Sequence, residues 1–305
     1  MNTVFNNNTP VLDLGNGTAL ISIANFFKPI VDDLSDFGRI AGASVINSVY
    51  ALGGKPLSAR AILGWPADQF SLEDANQIMK GARVICSEAG IILSDQHQIN
   101  AAELVFGLAV NGLINSDELV QHSNAISGCR LYLTKPLGLG ILATAKVKGL
   151  LTPEDSDLML KSMLTLNKLG QTWSQIKGVK TMTEVTSIGL LGHLIDICEK
   201  SGLSAVIDFK SVPTIHSIMY YVSKNCCPPD SLKNWKNYKD KVSLLTEKQK
   251  QILADPEIGG GLLVVVADEG VDEFESLLSS NKISARSFGW LREPNGGELI
   301  QVIPD

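Results

Sequence analysis

The chain has 305 residues, 45% of them hydrophobic, which is enough to bury a sizeable core and more than one compact domain usually holds. Its 26 basic and 32 acidic residues give a formal net charge of -6, and the charges are scattered rather than gathered into a basic arm or stripe. That pattern argues against a nucleic-acid or anionic-membrane footprint. The start, Met1 to Asn8, has no basic segment and no long apolar stretch, and no later run approaches the length of a membrane span. Five cysteines without a Cys-x-x-Cys spacing are too sparse for a disulfide framework and read as reduced thiols, so the chain is expected to be cytoplasmic.

Taken in chain order, Thr18 to Ala24 is apolar and β-prone and leads to the cap residues Asp32-Asp33-Leu34-Ser35. Phe37, Ile40, Ala41, Val45, Val49 and Leu52 then recur at helical spacing, with Gly53-Gly54-Lys55-Pro56 as the stop. Ser44 and Ser48 lie one turn apart on that helix. A second helix begins at the capping box Ser71-Leu72-Glu73-Asp74 and stops at Gly90, flanked by strands at Ala59 to Leu63 and Glu103 to Ile114.

Between Asn115 and Gly128 the sequence turns polar, which is expected of an inter-domain connection; the boundary is set at residues 1–125 and 126–305. In the second half, Arg130 to Leu133 reads as a strand, Thr152-Pro153-Glu154 as a helix start and Val185 to Lys200 as a helix closed by Gly202. Strands are expected at Ala205 to Phe209, Gly261 to Ala267, Ala285 to Gly289 and Glu298 to Val302. The polar stretch Ser211 to Lys250 reads as an irregular excursion. Strands and helices alternate in both halves, so the expected architecture is two α/β domains.

Eight runs in one order carry a resemblance: Asp13-Leu14-Gly15-Asn16-Gly17, Asp36-Phe37-Gly38-Arg39-Ile40-Ala41, Gly53-Gly54-Lys55-Pro56, Ala61-Ile62-Leu63-Gly64-Trp65-Pro66, Phe106-Gly107-Leu108-Ala109-Val110, Leu133-Thr134-Lys135-Pro136-Leu137-Gly138, Gly189-Leu190-Leu191-Gly192-His193, and Asp255-Pro256 before Gly260-Gly261-Leu262-Leu263. In these the chain resembles the selenide, water dikinase (selenophosphate synthetase) family. The resemblance implies the α/β (α+β) fold of aminoimidazole ribonucleotide synthetase, with an N-terminal ATP-binding-type domain that dimerises into a β-barrel and a C-terminal α/β domain. It also implies transfer of phosphate from ATP to selenide, giving selenophosphate, AMP and orthophosphate, with magnesium held by aspartates.

At the residues of that chemistry the sequence departs from the family pattern. The family's catalytic cysteine or selenocysteine and a nearby lysine belong to a Gly-rich segment upstream of the first metal aspartate, and no Cys or Lys precedes Lys28, so both are expected to lack a counterpart. The metal aspartates fall on Asn8, Asn25 and Ser48, and the fourth becomes Glu184, one methylene longer. Near the phosphates, Gly-Gly-His becomes Asp95-Gln96-His97, adding side chains where backbone would approach an anion, and a following aspartate becomes Asn100. Asn and Ser keep neutral oxygens but lose a charge opposite a dication, so metal binding should be much weakened.

His97 and His193 read as structural, Cys226-Cys227 as plain thiols, and Gly259-Gly260-Gly261 as a tight lead-in to a strand rather than an anion cradle. The expectation is therefore a catalytically inactive relative with an interaction or regulatory role. It would be a homodimer, or a heterodimer with an active selenophosphate synthetase, and would have no cofactor beyond weak residual ATP and magnesium. The alternatives are an active selenide, water dikinase and a nucleotide binder without turnover.

Overall fold

The structure is a computed structural model that describes residues 3–6, 9–66 and 68–303, with the side chains of residues 3–6, 9–10 and 95–97 outside the description. The chain divides into two units: unit 1 is Met1–Leu119 with Met163–Thr172, and unit 2 is Val120–Ser162 with Trp173–Asp305.

Unit 1 is built from β1 (Thr3–Asn6), β2 (Thr9–Asp13), β3 (Thr18–Phe27), α1 (Leu34–Ala51), β4 (Lys55–Trp65), α2 (Leu72–Glu88), β5 (Ile92–Asn100) and β6 (Val105–Asn115). The strands form one sheet in the order β1-β2-β3-β6-β4-β5, antiparallel except for the β4–β5 pair. β3 and β6 pair without a slip from Thr18 opposite Asn115 to Phe27 opposite Phe106. Along them alternate side chains turn inward: Ala19 and Ile21 on β3, with Phe106, Leu108 and Val110 on β6, are buried among residues of α1 and α2.

α1 starts where the Asp33 carboxylate accepts the Asp36 N–H at 2.8 Å, and it closes at Leu52, followed by Gly53 at φ +81°. α2 begins at the reciprocal capping box of Ser71 and Asp74. The two helices cross at glycine: a Cβ on Gly38 would stand 2.0 Å from the Ile78 carbonyl oxygen, and one on Gly81 would stand 1.9 Å from that of Ser35. The later segment Met163–Thr172 is held to this unit by Leu166 in the core and by the fully buried Asn47 of α1, whose Oδ1 accepts the Asn167 N–H at 2.7 Å.

Unit 2 contains β7 (Arg130–Leu133), α3 (Leu139–Val147), most of α4 (Pro153–Leu164), the end of the short α5 (Gly170–Trp173), β8 (Val179–Glu184), α6 (Gly189–Ser201) and β9 (Ser204–Asp208). It continues with α7 (Ile218–Ser223), α8 (Pro229–Tyr238), α9 (Glu247–Leu253), β10 (Leu262–Val266), α10 (Asp268–Ser280), β11 (Gly289–Arg292) and β12 (Ile300–Ile303). The sheet order is β12-β9-β11-β7-β10-β8, with only β12–β9 parallel. β10 is apolar throughout and every residue of it is fully buried, as expected of a strand covered on both faces. Phe274 of α10 packs edge-on against Tyr132 and Trp173, with ring centroids 5.0 and 5.2 Å apart.

Two six-stranded mixed sheets with helices agree with the expected fold class. The local differences have physical causes. Ser211 to Lys250, expected to be irregular, holds α7, α8 and α9; α8 is anchored by buried Ser231 and Asn234, and α9 by the Thr246–Gln249 capping box, so polar anchors replace the apolar stripe that periodicity detects. The strand expected at Ala285 to Gly289 is instead Gly289–Arg292, and the helix expected from Val185 starts at Gly189. Among the described residues no helix is long and apolar enough to cross a membrane.

Candidate functional site

Of the positions singled out in unit 1, Asn25 and Ser48 make hydrogen bonds within the chain. Asn8 lies outside the described residues. Asn25, on the outer part of β3, is exposed, and its Oδ1 accepts the neighbouring Phe26 N–H at 2.9 Å. Ser48, on α1, is partly buried, and its hydroxyl donates to the Ser44 carbonyl at 3.1 Å, one turn back. Asp95, Gln96, His97 and Asn100, expected as a vestigial phosphate loop, run along strand β5 instead, with His97 opposite Ile62 and Asn100 opposite Trp65 on β4. The side chains of Asp95, Gln96 and His97 lie outside the description; that of Asn100 is exposed.

In unit 2, Glu184 ends β8 with only 4% of its surface exposed, and it lies within electrostatic reach of the Lys135 ammonium. Lys135 follows β7 and donates from Nζ to the Gly259 carbonyl at 2.9 Å and the Ser162 carbonyl at 3.2 Å. Burial of the ammonium pulls its pKa down to about 8, against the pull of the Glu184 and Glu257 carboxylates in the other direction. Gly259-Gly260-Gly261 closes around the same point: a Cβ on Gly261 would stand 2.3 Å from the Lys135 nitrogen, and one on Gly260 would stand 2.2 Å from the Val185 carbonyl oxygen. The run thus packs as a tight lead-in to β10 and turns a carbonyl toward a cation.

Two further carboxylates complete this neighbourhood. Glu257, 2% exposed, accepts the Gly138 N–H at 2.7 Å and the Leu139 N–H at 3.1 Å, while fully buried Asp255 accepts the Ile141 N–H at 3.1 Å. They satisfy backbone donors at the start of α3 that have no partner within the helix. Burial raises both pKa values, that of Glu257 to about 8. Sequence reading singled out neither Lys135 nor Glu257 as a site residue. The available signal was that Lys135 sits inside one family run and Glu257 directly follows another.

The histidines are structural in their contacts. His193 on α6 accepts the Thr186 N–H at 3.1 Å through Nε2, and burial, followed by the charge of His122, lowers its pKa to about 4, so the ring is neutral. His122, almost wholly buried, meets Asp196 at 2.5 Å, and Lys200 donates to the same carboxylate oxygen at 2.9 Å. Cys226 is buried, and burial raises the pKa of the Cys227 thiol, which leaves that sulfur little thiolate character.

A divalent cation of the magnesium type needs several free oxygen ligands, with carboxylates to balance its charge. Position by position, the described residues do not fit one. Asn25 and Ser48 bring neutral oxygens where carboxylates would balance a dication, and of the three only Glu184 keeps a carboxylate.

Comparison with known proteins agrees with the fold. Residues 6–114 match the AIR synthase related protein N-terminal domain, and residues 127–301 match the corresponding C-terminal domain. A selenide, water dikinase of Photorhabdus laumondii is 44% identical over 290 residues, covering 95% of this chain and 84% of that protein. One of Aeromonas hydrophila is 45% identical over 293 residues, covering 96% and 85%. Among solved structures, thiamine-monophosphate kinase from Stenotrophomonas maltophilia superposes with a TM-score of 0.72 at 16% identity, covering 98% of this chain and 90% of that one. The hydrogenase maturation protein HypE in complex with ATP gives 0.72 at 17% identity, covering 97% and 85%. With both AIR synthase related domains present and such identity along almost its whole length, this chain belongs to the selenide, water dikinase family.

Proposed function

We propose that this chain is a selenide, water dikinase relative that no longer transfers phosphate and is kept for an interaction or regulatory role, pairing with a second copy or with an active relative. The observation that carries the reading is the chemistry of the metal positions: Asn25 and Ser48 bring neutral oxygens in place of carboxylates, and Glu184 is the one carboxylate among the three, 4% exposed at the end of β8. Phosphoryl transfer is mostly positioning and charge stabilisation, so a site without its dications loses the largest catalytic contribution. No resident cofactor is part of this proposal.

The second reading is an active selenide, water dikinase, and the 44–45% identity to proteins of that name over 95–96% of the chain favours it. Calorimetric titration with ATP, with and without magnesium, separates the two. The first reading expects no magnesium-dependent ATP binding by the unmodified chain, and a gain of it when Asn8→Asp, Asn25→Asp, Ser48→Asp and Glu184→Asp are combined. Magnesium-dependent ATP binding by the unmodified chain, followed by AMP release on adding selenide, would establish the second.

A further inference from the structure

We propose that the outward face of α8 is a docking surface for an acidic segment of another protein. The inference goes beyond the loss of phosphoryl transfer and does not depend on it, because α8 lies outside the eight runs that carry the family resemblance.

Along the whole chain acids outnumber bases, but residues 224–250 hold seven of the 26 basic residues against three of the 32 acidic ones. α8 sorts this stretch by face. Ser231 and Asn234 are buried, and Asn234 Nδ2 donates to the carbonyls of Ser187 at 2.8 Å and Ala254 at 3.1 Å, which fixes the helix on its inner side. Leu232, Lys233, Lys236 and Lys239 are exposed on the other side, Leu232 at 52%. Helical spacing sets Leu232, Lys236 and Lys239 on one stripe, with Lys233 a turn before Lys236.

Lys241 and Lys250 are taken by Glu199 and Glu247, whereas Lys233, Lys236 and Lys239 have no ion-pair or hydrogen-bond partner among the described residues. Asp230 and Asp240, at the two ends of the helix, form no ion pair with them. Like charges one turn apart repel, so this face is complementary to carboxylates at the same spacing, with Leu232 as the apolar contact beside them.

A nucleic acid is a poorer match. Single strands are held by free aromatic faces as well as by charge, but the Lys250 ammonium covers the Trp235 ring at 5.4 Å and the Tyr238 hydroxyl donates to the Ile188 carbonyl at 3.1 Å. The net charge of -6 also repels a polyanion. A lipid surface needs a broader apolar face than one leucine on a helix of 10 residues. The occupant that fits is a protein segment with carboxylates a helical turn apart and an apolar side chain next to them.

The test uses the full chain and three fluorescent probes: a short peptide of Glu, Leu and Ala with Glu at every third or fourth position, oligouridylate, and vesicles of phosphatidylcholine and phosphatidylserine in equal parts. The peptide is expected to bind, and to bind more weakly as salt rises. Lys233→Glu, Lys236→Glu and Lys239→Glu together should weaken it about tenfold. Lys80→Glu, Lys210→Glu and Lys282→Glu, which change the net charge equally at other exposed lysines, should leave it nearly unchanged. In the wild-type chain, adding peptide should move the amide NMR signals of residues 229–241, a reading that needs no variant. Failure of the peptide to bind, an equal loss in the second triple variant, signals that move elsewhere instead, or tighter binding of oligouridylate or the vesicles would overturn the proposal. None of these readings involves ATP or selenide, so they stand apart from the test of phosphoryl transfer.

Discussion

Glu257 Oε1 accepts the Gly138 N–H at 2.7 Å, joining residues 119 positions apart, while its second oxygen accepts the Leu139 N–H. One buried side chain thus closes the start of α3. Replacement by Ala leaves two buried amides without acceptors, and Glu257→Ala is expected to lower the free energy of unfolding by about 2–4 kcal/mol. Glu257→Gln should lose less, since it keeps one acceptor. Urea unfolding of the two variants against wild type checks the order; equal stability of Glu257→Ala and wild type would show that the contact contributes nothing.

Two groups, His193 and Asp196, should each cost stability in acid, in different pH windows. An unfolded His titrates near 6.5, but His193 in the fold binds its proton only near pH 4, so between those values the unfolded state binds more protons and stability falls as pH falls. For Asp196, burial alone would raise the pKa, but hydrogen bonds from His122 and Lys200 bring it down to about 2, below its ordinary 3.8. Its contribution is present above pH 3.8 and is lost as pH drops through 2. The raised carboxyls of Glu257 and Asp255 act in the opposite direction, so the prediction is a comparison: from pH 7 to 4 the melting temperature of wild type should fall more, or rise less, than that of His193→Gln. An unchanged slope in the variant would assign the acid loss to other groups.

The proposed pairing with a second copy would run through the sheet of unit 1. Its inner face packs on α1 and α2, and among the described residues the other face carries Phe26, Ile92 and Ile99 at 46%, 79% and 47% exposure. Apolar side chains exposed along a sheet face commonly mark an association surface. Sedimentation at micromolar concentration is expected to show a dimer, with Phe26→Lys and Ile92→Lys together shifting it to monomer. A wild-type chain that stays monomeric would refute this.

Much of unit 1 is legible in the sequence because its signals are local. The α1 stripe from Phe37 to Leu52 repeats at helical spacing between a clear cap and a clear stop, and Ser71 and Asp74 announce α2. β8 gives no such signal: in Val179–Glu184 only Val179 and Met182 are apolar, three positions apart, although Thr181 and Thr183 are buried. β5 likewise mixes Ser, Asp, Gln and His into a strand. Asn25, Ser48 and Glu184 come to notice through motif register alone. The Lys135–Glu257–Asp255 neighbourhood does not, because Lys135 lies more than a hundred residues before Asp255 and Glu257, and only the fold brings Gly138, 119 positions away, to Glu257.

The central claim is that the positions which would hold magnesium no longer support phosphoryl transfer. The most direct test incubates the purified, unmodified chain with ATP, magnesium and selenide and follows selenophosphate and AMP by phosphorus NMR. The account predicts no selenophosphate above a heat-inactivated control. Selenophosphate formed with matching AMP release, at a rate that scales with the amount of chain added, would contradict it.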